Sequence, residues 1–241
     1  MMETNKQEST VQKPTSLSAS PELREDIQQT VPLPGSRGEH QAQEAFGTSR
    51  RAAAFYNNQM LNYLNPLMRD FIASQEMFFL ATADAAGSCD CTFRGGPAGF
   101  VKVLTDTLLC CPEYRGNGVM ASLGNILENG HVGMIFVDFC GSTIGLHING
   151  TAEIVEDEAF RASWDITPEV IATVTGKEGP RPERWILIEV EEAYIHCSKH
   201  IPLMQKLDKT IHWGTDNEKF KGGDAFKAKS SAHSSVSVEQ P

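Results

Sequence analysis

Arg94-Gly95-Gly96-Pro97, followed by Tyr114-Arg115-Gly116-Asn117, is the pair of segments on which the reading of this chain turns. Each arginine closes an apolar, strand-like run and has glycine beside it. A guanidinium presents a planar fork of donors that matches phosphate oxygens. Glycine removes the Cβ that would keep backbone N–H groups away from an anion. Two such corners on neighbouring strands form a frame for one phosphorylated ligand, with Arg94, Gly95, Tyr114, Arg115, Gly116 and Asn117 as its candidate contacts.

Working outward, the runs on either side alternate as strands do. Residues 77–82, 89–93, 100–104 and 107–111 are short apolar runs separated by turn signals, such as Ala85-Ala86-Gly87-Ser88 and Pro97-Ala98-Gly99. That spacing predicts an antiparallel meander or barrel. Residues 119–129 place Met120, Leu123, Ile126 and Leu127 on one side of a helix. Its N-terminus offers free N–H groups and a favourable dipole to phosphate, which adds Ser122 to the candidates. Asn117 reads equally as that helix's N-cap. Strands follow at 132–139, at 143–155 with a break at Gly150, and at 185–196, and short helices are expected at 157–164 and 168–175. Upstream, residues 49–74 carry an amphipathic helical pattern that Pro66 interrupts or restarts. The sum is a mainly β, α+β chain of seven strands with a helix between the fourth and fifth. It lacks the strict βαβ alternation of a doubly wound sheet. Neither a dinucleotide fingerprint nor a P-loop is present.

Residues 1–40 and 216–241 are rich in small polar residues and lack apolar periodicity. They read as a disordered arm and tail around a folded domain at 41–215. With 21 basic against 31 acidic residues the chain carries a net charge of −10, which argues against a nucleic-acid partner. No run approaches the roughly 18 apolar residues of a membrane span. The polar N-terminus has no signal-peptide core, so a cytoplasmic location is expected. The six cysteines are expected to be buried thiols, since several lie in apolar runs. Cys89-x-Cys91 lacks the spacing of a zinc knuckle, and His196, Cys197 and His200 lack a fourth ligand nearby, so no metal is assigned.

Both arginine corners resemble those of the pyridoxamine 5′-phosphate oxidase-like proteins. So do Phe79-Leu80-Ala81-Thr82-Ala83-Asp84, Ser122-Leu123-Gly124-Asn125, Glu128-Asn129 and Gly145-Leu146-His147-Ile148-Asn149-Gly150, in the same order along residues 49–201. The resemblance implies an FMN-binding split β-barrel that works as a homodimer, with the cofactor at the subunit interface. It implies that Arg94 and Arg115 hold the FMN phosphate, adds Asn125 to the candidate contacts, and sets His147 near the flavin. A packed strand histidine is the alternative for His147. Two departures stand out. Tyr114 and Gly116-Asn117 occupy positions where the family carries serine and lysine. The segment Tyr194-Ile195-His196-Cys197-Ser198-Lys199-His200 lacks the arginine with which the vitamin-forming enzymes grip substrate phosphate. The expectation is therefore an FMN-dependent oxidoreductase with an unassigned small organic substrate and no distinctive catalytic acid or base. A deazaflavin in place of FMN, and a non-catalytic flavin- or haem-binding module on the same barrel, are the alternatives.

Overall fold

In a computed structural model, the structure describes residues 33–164, 182–212, 215, 217–220, 223 and 225–227. The described residues up to Arg50 and those from Arg51 on fall into two compact units. In the first, helix α1 (Arg37–Ala45) starts at an N-cap, Ser36, whose Oγ accepts from the Glu39 N–H at 3.2 Å. The sequence reading assigns no helix there. α1 buries none of its residues, so it has no apolar stripe to mark it. Helix α2 (Ser49–Gln59) is followed by the two-residue strand β1 (Met60–Leu61). Pro66 then opens helix α3 (Pro66–Ser74) as its first residue, and Asn65 caps it by accepting from the Met68 N–H at 2.9 Å. Proline suits that position because its missing N–H would have no intrahelical partner.

The second unit is built on one antiparallel sheet. Its remaining strands are β2 (Met77–Ala83), β3 (Cys89–Gly95), β4 (Lys102–Val103), β5 (Leu108–Glu113), β6 (His131–Val137), β7 (Gly145–Glu156) and β8 (Arg184–His196). They lie in the order β3-β2-β6-β7-β8-β5-β4, and β1 pairs with β8. The seven expected strands are all present, and β1 is the eighth. Helix α4 (Ala121–Glu128) stands between β5 and β6, and helix α5 (Asp157–Trp164) follows β7. The expected helix at 168–175 lies outside the described residues, as do residues 1–32 of the expected arm and most of the expected tail. Among the described residues no helix is long and apolar enough to cross a membrane.

Alternation explains how the sheet curls round a core. Phe78 and Leu80 on β2, Val132, Met134 and Phe136 on β6, Leu146 and Ile148 on β7, and Ile186, Ile188 and Val190 on β8 all point inward. Ile72 of α3 and Leu123 and Ile126 of α4 cover the cluster. β8 is buried on both faces from Trp185 to Ile188, because Trp185 and Leu187 meet a second cluster with Phe160 of α5 and Cys110 of β5. The break foreseen at Gly150 is a β-bulge: Asn149 faces Glu192, Gly150 faces Val190, and Glu191 is left over. A Cβ on Gly150 would stand 1.9 Å from the Glu189 carbonyl oxygen, so only glycine fits there.

The sheet does not close. β3 and β4 stand at the two ends of its strand order, with β1 paired to β8 off that path. β4 pairs with β5 only at Leu109 and Cys110, so the end of β5 from Cys111 to Glu113 has β8 on one side and no ladder partner on the other. This is the split of a split barrel, and the site lies in it.

The cysteines differ from expectation. Cys110 and Cys111 are buried, but Cys89, Cys91, Cys140 and Cys197 are exposed, and all six are free thiols. Cys89 and Cys91 share the outer face of the edge strand β3, where nothing covers them within the unit, and the other two lie outside the strands. Burial pushes the Cys111 thiol up to about 12, leaving it protonated and unreactive.

Candidate functional site

A cavity of about 570 Å³ opens at the split, between the outer half of β3, the end of β5 and the turn into α4. Arg94 and Gly95 reach it from β3, where Arg94 lies opposite Phe78 and Gly95 opposite Met77 in the ladder with β2. Tyr114, Gly116, Asn117 and Ser122 reach it from the other side. Six of the nine candidate residues are thus brought together. Phe100 forms part of the wall, held by stacking on Phe78 with ring centroids 5.8 Å apart. A Cβ on Gly96 would fall 2.4 Å from the Phe100 ring, so the second glycine of the first corner is there for packing. Its N–H already donates to the Glu76 carbonyl at 2.9 Å.

The second corner is a loop followed by a helix without a cap. Asn117 is not the N-cap: its Oδ1 accepts from the Val119 N–H at 2.9 Å, forming a local turn in which Gly118 takes φ +80°. Met120 holds the N-cap position in the left-handed region, at φ 56° and ψ 28°, and makes no side-chain cap bond. A non-glycine residue held there costs roughly 1–2 kcal/mol. Among the described residues the start of α4 thus has no side-chain cap, and the helix lines the cavity with Ala121, Ser122 and Leu123. The N–H groups at a helix start and the helix dipole favour an anion.

Two carboxylates line the same cavity, and the sequence reading missed both. Glu113, the last residue of β5, forms an ion pair with Arg94 through the guanidinium Nη1. Asp90 on β3 accepts from Ser122 Oγ at 3.2 Å. Arg94 Nε is buried and has no hydrogen-bond partner among the described residues. No local signal marks either contact, because β3 and β5 are not ladder neighbours and their juxtaposition follows from curvature alone. Tyr114 packs on the second cluster, and burial holds its hydroxyl above the usual range, so it stays protonated.

Three candidates do not line the cavity. Arg115 is exposed on the loop between its lining neighbours Tyr114 and Gly116. Asn125 lies on α4 and donates from Nδ2 to Thr82 Oγ1 at 3.0 Å, tying the helix to β2. His147 is half-buried on β7, stacked on Tyr194 at 4.8 Å, and its Nε2 lies 2.8 Å from Nδ1 of His196. One of these nitrogens donates and the other accepts.

Burial and the neighbouring His196 lower the His147 pKa below its ordinary 6.5. The unfolded chain therefore takes up a proton at this residue at a pH where the folded protein does not. Its contribution is complete above about pH 6.5 and falls as the pH drops below it. Urea unfolding followed from pH 7.5 to 5.5 is expected to show a steeper loss of stability in the unaltered protein than in His147→Gln. Parallel profiles would remove this role from His147.

A family model described as pyridoxamine 5′-phosphate oxidase matches residues 64–197, more than half of the chain. The chain belongs to the pyridoxamine 5′-phosphate oxidase family. The match spans the sheet from the approach to α3 through β8, and so contains every residue of the cavity. No curated protein matches the chain. Among solved structures, HupZ of Group A Streptococcus is 23% identical, with a TM-score of 0.41 over 54% of this chain and 91% of that one. An FMN-binding protein from Syntrophomonas wolfei is 14% identical, with a TM-score of 0.39 over 66% and 97%. HutZ, the haem storage protein of Vibrio cholerae, is 14% identical, with a TM-score of 0.36 over 55% and 93%.

Proposed function

We propose that this member of the family binds FMN with its phosphate in the cavity at the split, and acts as a cytoplasmic, homodimeric FMN-dependent oxidoreductase on a small organic substrate. The observation that carries the reading is the convergence of Arg94 with the uncapped start of α4 in one cavity of about 570 Å³. That size is usual for a small-molecule site. The residues fit a phosphate in three respects. Arg94 has a buried Nε–H without a partner among the described residues. Among the described residues the N-cap of α4, Met120, makes no side-chain cap bond. Gly116 and Gly118 keep the loop open, with no atom within 4 Å of where a Cβ would stand.

Arg94 would hold the phosphate by charge, and the N–H groups of α4 would fix its orientation. Ser122 Oγ adds a donor if it turns from Asp90, and Asn117 keeps the loop shaped. FMN, when bound, supplies reversible two-electron chemistry, for which the protein need only bind, orient and tune the ring. The homodimer is supported by the family resemblance and by the outer face of β3, where Phe93 is 55% exposed beside Phe79. Sedimentation of the purified protein measures it.

The deciding measurement is the absorbance spectrum of the protein as purified, with mass identification of any released chromophore, followed by FMN titration of the stripped protein. A flavin spectrum, FMN by mass and saturable rebinding are the expected results, and reduction of the bound flavin by a donor panel, followed by its reoxidation by electron acceptors, then addresses turnover. A deazaflavin mass would reassign the cofactor, and a colourless protein without FMN affinity would overturn the proposal.

A further inference from the structure

The Arg94–Glu113 pair joins two strands that share no backbone hydrogen bonds, across the split of the barrel. Both side chains line the cavity and keep 16% and 13% of their surface accessible, so a ligand there can reach them. The contact uses Nη1 of Arg94 and leaves Nε without a partner among the described residues, so Glu113 engages only part of the fork. Asp90 holds Ser122 in the same way on the other wall. Carboxylates thus engage one side-chain donor on each wall of the cavity.

We propose that Glu113 is a displaceable counter-anion: it holds Arg94 across the split until the phosphate of a ligand takes its place, and it thereby sets the affinity of the site for phosphorylated ligands. The inference rests on the phosphate-binding reading above. A phosphate engages Arg94 through more donors than the single Nη1 contact, since it presents several oxygens to Nε and Nη together. It must do so against the charge of Glu113, which remains in the cavity with Asp90. Like charges brought together in a partly desolvated site oppose binding. Glu113 therefore stabilises the ligand-free barrel and weakens the phosphorylated complex. The two effects have opposite signs in one residue, which separates this role from a purely structural one.

The test compares FMN with riboflavin, which has the same ring system and no phosphate, in the stripped protein and in Glu113→Gln. Glutamine keeps the shape and removes the charge. FMN affinity is expected to rise by about fivefold or more, riboflavin affinity to stay within about twofold, and the thermal midpoint of the ligand-free variant to fall. An unchanged or lower FMN-to-riboflavin affinity ratio would overturn the role of Glu113. If the unaltered protein binds neither flavin, the cofactor reading fails and this inference with it; if it binds FMN and the ratio does not move, only Glu113 is misassigned. A second measurement needs no variant. The Arg94 Nε–H resonance of the unaltered protein is expected to shift with FMN and with inorganic phosphate, and not with riboflavin. An Arg94 signal insensitive to both phosphates would count against displacement.

Discussion

Arg94→Ala is expected to bind FMN about 10- to 150-fold more weakly than the unaltered protein, while riboflavin affinity changes by less than about threefold. A hydrogen bond to a charged group contributes roughly 1.5–3 kcal/mol, which corresponds to that range. Two effects act together in the variant. The phosphate loses the guanidinium of the β3 corner, and Glu113 is left without its partner on the wall of the cavity. The double variant Arg94→Ala with Glu113→Gln removes the second effect and is expected to recover part of the lost affinity. Flavin fluorescence titration measures all three proteins. Equal weakening of FMN and riboflavin would place Arg94 against the ring rather than the phosphate, and undiminished FMN affinity would remove it from the site.

Trp185→Ala is expected to destabilise the protein by about 3–5 kcal/mol. Trp185 is fully buried, its ring lies 4.4 Å from that of Phe160 at an interplanar angle of 22°, and its Nε1–H donates to Asp157 Oδ1 at 2.9 Å. Truncation empties the centre of the second cluster, where α5 packs on β8, and takes a donor from Asp157. Arg161 still pairs with that carboxylate at 2.8 Å, so Asp157 keeps one partner. Against a typical total of about 5–15 kcal/mol the loss is large. Urea denaturation measures it, and Trp185→Phe, which keeps an aromatic ring but not the N–H, is expected to lose less than half as much. A change under about 1 kcal/mol in Trp185→Ala would show that the second cluster adds little to the fold.

Much of the fold follows from local patterns, because a strand face or a helix stripe repeats over neighbouring residues. Ile186, Ile188 and Val190 declare one face of β8, Leu123 and Ile126 declare the covered side of α4, and Gly150 marks the bulge. Asp84 takes two N–H bonds, from Ala86 at 2.9 Å and Ser88 at 2.8 Å, in the turn that Ala85-Ala86-Gly87-Ser88 foretells. The family resemblance, carried by the order of short motifs, agrees with the matched residues 64–197. Helix α1 escaped because it has no buried face, and the exposure of Cys91 escaped because the more apolar face of β3, with Cys89, Cys91 and Phe93, reads as inward in sequence while on this edge strand it is the exposed one.

The arginine corners show where sequence stops. Strand, arginine and glycine, repeated at Arg94 and Arg115, locate two ends of strands and mark side chains of a type that suits phosphate, and residue type carries the reading no further. Only the tertiary structure decides that the two corners face each other, because β3 and β5 are far apart in the order of the sheet and meet through its curl. The same curl sets Glu113 on Arg94 and Asp90 beside Ser122, lines the cavity with Arg94 but not Arg115, and leaves His147 paired with His196 on β7 and β8. Charge pairing across a gap depends on register and curvature, which are sums over the whole sheet, and no short stretch of sequence contains them.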